Sequence, residues 1–431
     1  MPPLRLWCST VTNRKRKKIS RTIETHQPVW TADQSRFQQN FARNAYWANL
    51  LRTEYCKQAQ VYGQQHEKTF SKPVKATVFL NPAARKGKAK KLFQKNAAPL
   101  LHLAGIDVEI IQTSMEGEAK DLAASLVKTD IVIIAGGDGT VAEVITGLLR
   151  RDDEKVVSSN WTLGIIPVGA TNSLARILYS EAEADVRWMC NSAMAIIKGS
   201  TRHVDVMSIQ DETHGRKSYA VNSIHWGPLQ DAKEKATKFW YFGPLKHRFS
   251  YLWAGLTKEF PAQVKGHVSY GQPKEIPEKV IPEKLWWWTR LFNRLWPKHI
   301  EPEPVVHDDE EEVLEELDIS AVELSVLTDN SGNKQKGPPA LQLRIGPEEF
   351  SRTDFMKEGW SRLKEDSIET FKVTDIAAGE VHLRPNLKEA EESWYTIDND
   401  RFEAMPVVIK LLPSKLRFFT DAAMPQETFT R

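Results

Sequence analysis

The sequence has little cysteine. Its three cysteines, Cys8, Cys56 and Cys190, are odd in number and far apart in a chain of 431 residues. This spacing gives neither a disulfide framework nor a C-x-x-C metal site. We therefore interpret all three as structural thiols.

Long apolar runs and a strong charge imbalance are also absent. No stretch approaches the roughly 18 apolar residues that a membrane-spanning helix needs. The net charge of +3 is too balanced to predict a nucleic-acid partner, so none is expected. Apolar residues make up 41% of the chain and charged residues 27%. These values are typical of a globular protein, and the length allows two or three domains.

The N-terminal segment lacks acidic residues up to Glu24, although seven basic residues precede that position among Ser and Thr. This composition is typical of a mitochondrial targeting segment; a solvated basic tail, or one that contacts nucleic acid or anionic lipid, is the alternative. Apolar residues recur near a period of 3.6 between residues 35 and 62, which predicts a helix. Residues 1–70 are therefore predicted to form a basic targeting or membrane-associated arm.

Residues 71–200 alternate short apolar strands with helices. The predicted strands are residues 76–80, 107–112, 130–135 and 163–167. Such strands, when helices separate them, indicate a parallel sheet covered on both faces. We predict an α/β domain here, with ligands bound at the loops that follow the carboxyl ends of the strands.

Residues 201–420 contain strand-like runs with no predicted helices between them, which favours a second, all-β domain, a sandwich. A stretch rich in proline and charge interrupts it at about residues 271–318. The acidic half of that stretch, residues 301–318, has no Lys or Arg. We expect this half to be disordered or mobile.

The strongest functional motif follows the third predicted strand and precedes an apolar-periodic helix. It consists of Gly136, Gly137, Asp138, Gly139 and Thr140. Glycines at such a turn allow close backbone approach to an anion, and the helix N-terminus favours phosphate. Asp138 is informative because a carboxylate beside phosphates is repelled unless a metal or a proton transfer gives it a task. A tight turn that merely uses glycine is the structural alternative.

Other polar loops follow the neighbouring strands. Asn81 opens the loop after the first strand, Thr113 follows the second, and Gly169, Thr171 and Asn172 follow the fourth. Each alone is explained by helix capping, but together they predict a nucleotide site at one sheet edge. No strand is followed by the G-x-x-x-x-G-K-[ST] or G-x-G-x-x-G pattern, which weakens P-loop and dinucleotide readings.

These motifs together resemble the diacylglycerol kinase catalytic family, which includes sphingosine, ceramide and acylglycerol kinases. The similarity is greatest to the mitochondrial acylglycerol kinases and covers about residues 55–420. It is carried by the loops above and by residues 76–84, 95–99, 241–246 and 402–407. The five-residue glycine-rich motif also occurs in NAD kinases and phosphofructokinase-like folds, so it does not define the substrate by itself.

The resemblance implies a nucleotide-binding α/β domain and a β-sandwich domain that binds lipid, with ATP and Mg²⁺ as cofactors. It implies an acidic Asp-Gly-Glu near the C-terminus, where this chain has Asp398, Asn399 and Asp400. A polar hairpin turn is the alternative for these three residues. Asp138, Asp398 and Asp400 are the candidates for catalysis, and Asp138 is the candidate metal ligand. The candidate nucleotide-binding residues are Asn81, Thr113, Gly136, Gly137, Asp138, Gly139, Thr140, Gly169, Thr171 and Asn172.

Two aromatic segments indicate contact with a membrane or with a lipid substrate. Residues 284–296 combine Trp with Arg on separate helical faces, which is typical of a helix at a membrane surface. Residues 239–245 are interpreted as a wall of the substrate pocket, with Trp240 and Leu245 as candidate contacts. Asp231 could bind glycerol hydroxyls, although an exposed helix-capping Asp is equally consistent with its position.

Three functions follow from these observations. The first is an acylglycerol or diacylglycerol kinase that acts at a mitochondrial membrane, in the intermembrane space or on the inner membrane. The second is a soluble NAD kinase-like enzyme, which leaves the aromatic and basic segments without a purpose. The third, implied by the resemblance, is a membrane-bound assembly factor that works with mitochondrial carrier translocase components and retains the kinase fold.

Overall fold

The structure is a computed structural model that describes residues 30–69, 73–127, 129–180, 184–256, 263–273, 314–331, 338–363, 371–386 and 393–421. The chain divides into two compact units, Met1–Glu54 and Tyr55–Arg431. Helix α1 (Trp30–Thr69) confirms the helix predicted over residues 35–62. Its second half belongs to the larger unit, where Ala59 is fully buried against the α/β core.

The first part of the larger unit is the predicted α/β layer. Its parallel strands are β1 (Lys75–Leu80), β2 (Asp107–Gln112), β3 (Ile131–Gly136) and β4 (Thr162–Pro167), in the spatial order β2-β1-β3-β4. The helices are α2 (Ala84–Gly87), α3 (Ala89–Asn96), α4 (Ala98–Leu103), α5 (Glu118–Ala124), α6 (Asp138–Leu149), α7 (Glu154–Asn160), α8 (Ser173–Leu178) and α9 (Asp185–Lys198). All six residues of β4 are buried, because helices cover both faces of a parallel sheet.

The remainder of the chain is richer in strands. They are β5 (Thr201–Asp211), β6 (Lys217–Ala220), β7 (Ser223–Trp226), β8 (Val264–Gly271), β9 (Glu315–Ala321), β10 (Leu324–Leu327), β11 (Leu341–Ile345), β12 (Thr374–Ala378), β13 (Glu380–Pro385), β14 (Trp394–Ile397), β15 (Asp400–Glu403) and β16 (Val407–Phe419). The helices are α10 (Pro228–Lys235), α11 (Lys246–Leu256), α12 (Arg352–Ser361) and two 3₁₀ helices, Ala236–Leu245 and Asp329–Ser331.

The last strand joins the two parts into one sheet. β16 pairs in parallel with β4, where Phe418 lies opposite Leu163. On its other side β16 pairs antiparallel with β5 and β13. The described residues therefore give a ten-stranded mixed sheet in the order β2-β1-β3-β4-β16-β13-β8-β9, with β5 on β16 and β6 on β5.

A second, antiparallel sheet packs against the far part of the first. Its order among the described residues is β12-β11-β10-β7-β14-β15. One hydrophobic cluster joins Ile409 and Val381 of the first sheet to Trp226, Leu324 and Tyr395 of the second. This arrangement confirms the predicted sandwich, because side chains from two facing sheets fill a common core.

Two details differ from the sequence-based prediction. The expectation of strands without helices in this part is wrong, because α10, α11 and α12 cover the second sheet. Their buried side chains, such as Leu229, Tyr251 and Phe355, form a small separate core. The aromatic content of this region favours strands locally, and tertiary packing overrides that preference.

The second difference concerns the predicted insertion at about residues 271–318. Its last residues, from Glu315, belong to β9 and pair with β8. The acidic side chains there are mostly exposed, so the strand can pair without burying their charges. The segment 284–296 lies outside the described residues. No helix in the described part of the chain is long and apolar enough to cross a bilayer.

Candidate functional site

Two glycine loops touch at the carboxyl edge of the parallel sheet. A Cβ atom on Gly169 would lie 2.2 Å from the Cα of Gly137, closer than any real contact. Gly137 has an extended backbone with a φ of −107°, so it does not need glycine's conformational freedom. Glycine is required at this pair because no side chain fits between the loops that follow β3 and β4.

The first turn of α6 lies directly behind these glycines. The Asp138 amide donates to the Thr171 carbonyl at 3.1 Å, and the Gly169 amide donates to the Gly136 carbonyl at 3.0 Å. The next amides, those of Gly139 and Thr140, have no protein acceptor among the described residues. Unsatisfied amides at a helix N-terminus form a binding site for phosphate.

Asn81 reaches this turn from the loop after β1. Its Nδ2 donates to Oγ1 of Thr140 at 3.2 Å, while its Oδ1 accepts from the Ala83 amide at 3.0 Å. Thr113 is buried after β2, and its amide donates to the Leu80 carbonyl at 3.0 Å. Asn172 closes its own loop, because its amide group exchanges hydrogen bonds with Gly169. All the predicted nucleotide residues therefore lie on the loops after the four parallel strands.

Asp138 is buried, with 4% of its surface exposed. Its Oδ1 accepts from the Ser173 amide at 2.7 Å, and its Oδ2 accepts from the Ser173 hydroxyl at 3.1 Å and from Asn399 Nδ2 at 2.9 Å. Each carboxylate oxygen thus already has a protein donor. The geometry favours a role in holding α6, α8 and the C-terminal hairpin together.

That hairpin is formed by β14 and β15, with Asp398 and Asn399 as its two loop residues. Both have positive φ values, 46° and 72°, and Ile397 lies opposite Asp400 in the ladder. Two-residue hairpin loops of the type I′ class require positive φ at both positions, and Asp and Asn tolerate it. Asn therefore provides the backbone conformation that the related family obtains from glycine.

The carboxylate of Asp398 points back into the protein. It accepts hydrogen bonds from the amides of Val221, Asn222 and Ser223 at 2.6, 2.9 and 3.0 Å. Burial raises the pKa of Asp398 to about 6, and the three amide donors oppose that rise. Asp398 therefore fixes the turn between β6 and β7, rather than facing the glycine-rich loop.

Asp400 faces that loop. A Cβ atom on Gly139 would lie 2.8 Å from Oδ2 of Asp400, so the carboxylate lies against the first turn of α6. It has no hydrogen-bond donor among the described residues. Burial raises the pKa of Asp400 to about 6, with further increases from the charges of Glu116, Asp398, Glu143 and Asp138. An unpartnered carboxylate beside free helix amides can accept a proton or face a cation.

The candidate lipid-binding residues are less concentrated. Asp231 lies half-buried on α10, where burial raises its pKa. The same helix reaches the hairpin, because Glu234 accepts a hydrogen bond from Thr396 of β14. Trp240 and Leu245 lie on the 3₁₀ helix with 76% and 56% of their surfaces exposed. No contact in the described part of the chain joins either of them to Asp138 or Asp400.

The sequence motifs did not predict Ser173, Asn399 or Glu143 as functional residues, although all three belong to the site. Glu143 accepts from the Gly117 amide at 3.0 Å and so ties α6 to the loop after β2. Asn399 had a signal in the sequence, because it replaces the glycine of the related motif. Ser173 had one too, as a capping residue beside Asn172.

The acidic side chains of the site could also hold a divalent cation. The described residues contain no group of three side chains that could together hold a metal. Mg²⁺ needs no such group, because it is usually bound by one or two carboxylates together with substrate phosphates and water. Asp400 meets this requirement better than Asp138, whose oxygens are engaged. The metal role of Asp138 stays a prediction.

Comparison with known proteins places the chain in a family. Residues 75–209 match the diacylglycerol kinase catalytic domain, and residues 221–431 match the acylglycerol kinase C-terminal family. The chain is 41% identical to the mitochondrial acylglycerol kinase of Xenopus laevis over 391 residues, 88% of this chain and 89% of that one. It belongs to the acylglycerol kinase family. The predicted resemblance to ATP-dependent lipid kinases is thereby confirmed.

Other relatives agree. The human mitochondrial acylglycerol kinase is 37% identical over 391 residues, 89% of this chain and 91% of that one. Sphingosine kinase 1 of Arabidopsis thaliana is 31% identical over 206 residues, 47% of this chain and 42% of that one. A solved structure from Bacillus anthracis, assigned as a diacylglycerol kinase, superposes with a TM-score of 0.52 at 20% identity, over 83% of this chain and all of that one. At that identity the match shows a shared fold.

Proposed function

We propose that this acylglycerol kinase family member transfers the γ-phosphate of ATP to a hydroxyl of monoacylglycerol or diacylglycerol, giving lysophosphatidic or phosphatidic acid. The observation that carries the proposal is the unpartnered carboxylate of Asp400 against Gly139, beside the open first turn of α6. Amides that can bind phosphate and a carboxylate that can accept a proton thus lie within one site, as transfer to an alcohol requires.

In this proposal the loops after β1, β3 and β4 bind ATP. The amides of Gly139 and Thr140 donate to phosphate oxygens, and the field of α6 favours their negative charge. Asn81 orients the Thr140 hydroxyl, and the contact of Gly137 with Gly169 fixes the floor of the site. Thr113 and Thr171 contribute through their backbone positions.

Asp400 is proposed as the group that accepts the proton of the lipid hydroxyl. Its raised pKa keeps it a stronger base than an ordinary carboxylate, yet still deprotonated near neutral pH. Asp138 and Asp398 hold it in place from opposite sides. Asp398 fixes the turn that begins the hairpin, and Asp138 binds the hairpin through Asn399.

Mg²⁺ is proposed as the companion of the triphosphate. Asp138, Glu116, Glu143 and Asp400 place negative charge around the site, which would repel ATP unless a cation offsets it. The phosphate oxygens would hold the cation together with the acidic side chains around Asp400. When bound, it would spread the charge that develops on the transferred phosphoryl group.

The glycerol part of the lipid is proposed to bind on the hairpin side, near Asp231, because Glu234 and Arg401 connect α10 to β15 in that region. Trp240 and Leu245 are proposed to contact the acyl chains or the membrane that supplies them. We propose a location at the mitochondrial inner membrane or in the intermembrane space; the names of the relatives and the basic N-terminus support the mitochondrial part of this proposal. Fractionation of mitochondria with protease protection tests it.

The decisive experiment measures transfer from labelled ATP to monoacylglycerol, diacylglycerol, ceramide and NAD. We expect label on the acylglycerols and its loss in Asp400→Asn. Label on NAD alone would contradict the proposal. Absence of transfer from folded protein to any acceptor would favour the non-enzymatic role in carrier import.

A further inference from the structure

The segment from Ala236 to Leu256 presents a continuous aromatic surface. Ring contacts run from Trp240 to Tyr241 at 6.1 Å, from Tyr241 to Phe242 at 4.7 Å, from Phe242 to Phe249 at 3.9 Å, and from Phe249 to Trp253 at 6.1 Å. These five rings therefore form one cluster across the 3₁₀ helix and α11. We call it the aromatic surface.

The outer members of this surface are exposed to an unusual degree. Trp240, Tyr241 and Trp253 have 76%, 62% and 56% of their surfaces exposed, and Leu245 and Leu256 of the same segment have 56% and 58%. Isolated exposed apolar residues are ordinary, but a contiguous patch marks a site of interaction. Tyr and Trp are the residues that favour the boundary between water and lipid.

The opposite side of the same segment is firmly packed. Tyr251 is buried against Phe355 of α12 with a ring distance of 6.3 Å, and Ser250 donates to the Ala232 carbonyl of α10. Gly255 contacts Met356 of α12 so closely that a Cβ atom would lie 3.1 Å from its Cγ. The segment is thus anchored by one face while its aromatic face points outward.

Charge identifies what this surface fits. From Lys235 to Leu256 the chain has no acidic residue, and it has four cations, Lys235, Lys238, Lys246 and Arg248. Three of the four, Lys235, Lys238 and Arg248, are exposed. An apolar patch on a segment with cations and no acidic residue complements an anionic bilayer, where aromatic rings enter the headgroup region and the cations attract acidic lipids.

We propose that the aromatic surface docks the protein on a bilayer that contains anionic phospholipid. The proposal rests on the proposed function in that a kinase for a membrane lipid must meet its substrate at a bilayer. It assigns the contact to residues 236–256, of which the sequence had indicated residues 239–245 as a pocket wall.

The aromatic surface is connected through α10 to the hairpin formed by β14 and β15. The 3₁₀ helix follows α10 without a break, and Glu234 at the end of α10 accepts from Thr396 and lies 3.7 Å from Arg401. Thr396 and Arg401 flank Asp398, Asn399 and Asp400 in the sequence. Helix α10 therefore connects the aromatic surface to the hairpin that contains the proposed proton acceptor, Asp400.

The test measures sedimentation of the full-length protein with vesicles of phosphatidylcholine, alone or mixed with a phospholipid of negative charge. The first variant is Trp253→Ala/Leu256→Ala, two exposed residues of α11, and the second is Lys238→Glu/Arg248→Glu. Lys155→Glu/Val156→Ala on α7 is the matched control, because both residues are exposed and lie on another face of the fold.

We expect the first variant to lower the partition coefficient on anionic vesicles at least about tenfold, since two large apolar side chains no longer enter the interface. The second should lower it by about fivefold or more for each cation removed, with weaker dependence on salt. The control should bind as the wild type does. Unchanged binding by the first variant, or equal wild-type binding to neutral and anionic vesicles, would overturn the proposal.

A second measurement separates this proposal from the proposed function. Activity is assayed on a short-chain acylglycerol that is dissolved as monomers in the absence of vesicles. Variants that lose vesicle binding but retain this activity support the docking surface. Loss of activity on the dissolved substrate by folded variants would instead assign these residues to the substrate pocket. If the wild type phosphorylates acylglycerol neither in solution nor in vesicles but binds vesicles through these residues, the proposed function fails and the docking surface stands.

Discussion

The side-chain amide of Asn399 donates a hydrogen bond to Oδ2 of Asp138 at 2.9 Å, across 261 positions of sequence. The same nitrogen donates to the Ser173 hydroxyl at 3.1 Å. This one side chain therefore connects the hairpin that carries Asp400 to the first turns of α6 and α8. A glycine at this position, as in the related motif, supplies the turn without the connection.

Replacement of Asn399 by glycine should separate these two contributions. Glycine adopts the φ of 72° without strain, so we expect the melting temperature to change little. The loss of the hydrogen bond to a buried carboxylate should loosen Asp400 and lower kcat about threefold to tenfold, with a smaller effect on KM for ATP. Steady-state kinetics and thermal denaturation of the same preparation measure both quantities.

Asn399→Asp is the companion variant. It keeps the size and the turn preference of the side chain but places a second carboxylate beside Asp138, and like charges at hydrogen-bond distance repel. We expect a larger loss of kcat than in Asn399→Gly. Equal activity of the two variants and the wild type would show that the connection does not position Asp400.

Substitution by asparagine should affect activity at one aspartate of the hairpin and stability at the other. Asp400→Asn should reduce kcat about a hundredfold to ten-thousandfold while the protein remains folded, because the proton acceptor is lost. Asp398→Asn should instead lower the free energy of unfolding by about 1–3 kcal/mol, since the amide nitrogen that replaces one carboxylate oxygen cannot accept from the backbone donors on that side, either Val221 or Asn222 and Ser223. Denaturant unfolding and kinase assays on both variants distinguish these effects; a stable, inactive Asp398→Asn would reverse the assignment.

Activity should depend on the protonation of Asp400. In the proposed mechanism transfer requires the charged carboxylate, and its pKa is raised to about 6, chiefly by burial. We therefore expect kcat/KM to be level above pH 7 and to fall about tenfold for each pH unit below about 6. An ordinary carboxylate would give a decline only below about pH 4. A profile of kcat/KM at limiting ATP locates the break.

Two glycines of the site should tolerate alanine to different extents. Gly169→Ala would place a Cβ atom 2.2 Å from the Cα atom of Gly137. To relieve this clash the backbone of one loop would have to move, which would disrupt the proposed ATP site. We expect weak or undetectable ATP binding. Gly139→Ala would instead meet the carboxylate of Asp400 at 2.8 Å, the free end of a side chain that can rotate. This variant should bind ATP but lose at least about tenfold in kcat, as measured by calorimetry and kinetics together.

The sequence alone determined the α/β layer and the phosphate-binding turn. Strand, loop and helix are consecutive there, so apolar periodicity and glycine spacing contain the information for both the fold and the site. The sandwich followed from alternating strand patterns, and the lipid-kinase family followed from short motifs at three loops. None of these features depends on which distant segments meet.

Only the tertiary structure decided how the parts are connected and what each acidic residue contacts. The pairing of β16 with β4 joins residues 417–418 to 162–163, a contact that local patterns cannot encode. The sequence does not show which of the three candidate aspartates accepts the proton, because all three are acids in turn-forming motifs. Folding buries Asp398 on backbone amides, engages Asp138 with Ser173 and Asn399, and leaves Asp400 facing Gly139. Burial and hydrogen-bond partners, which depend on the whole fold, thereby give similar side chains different chemistry.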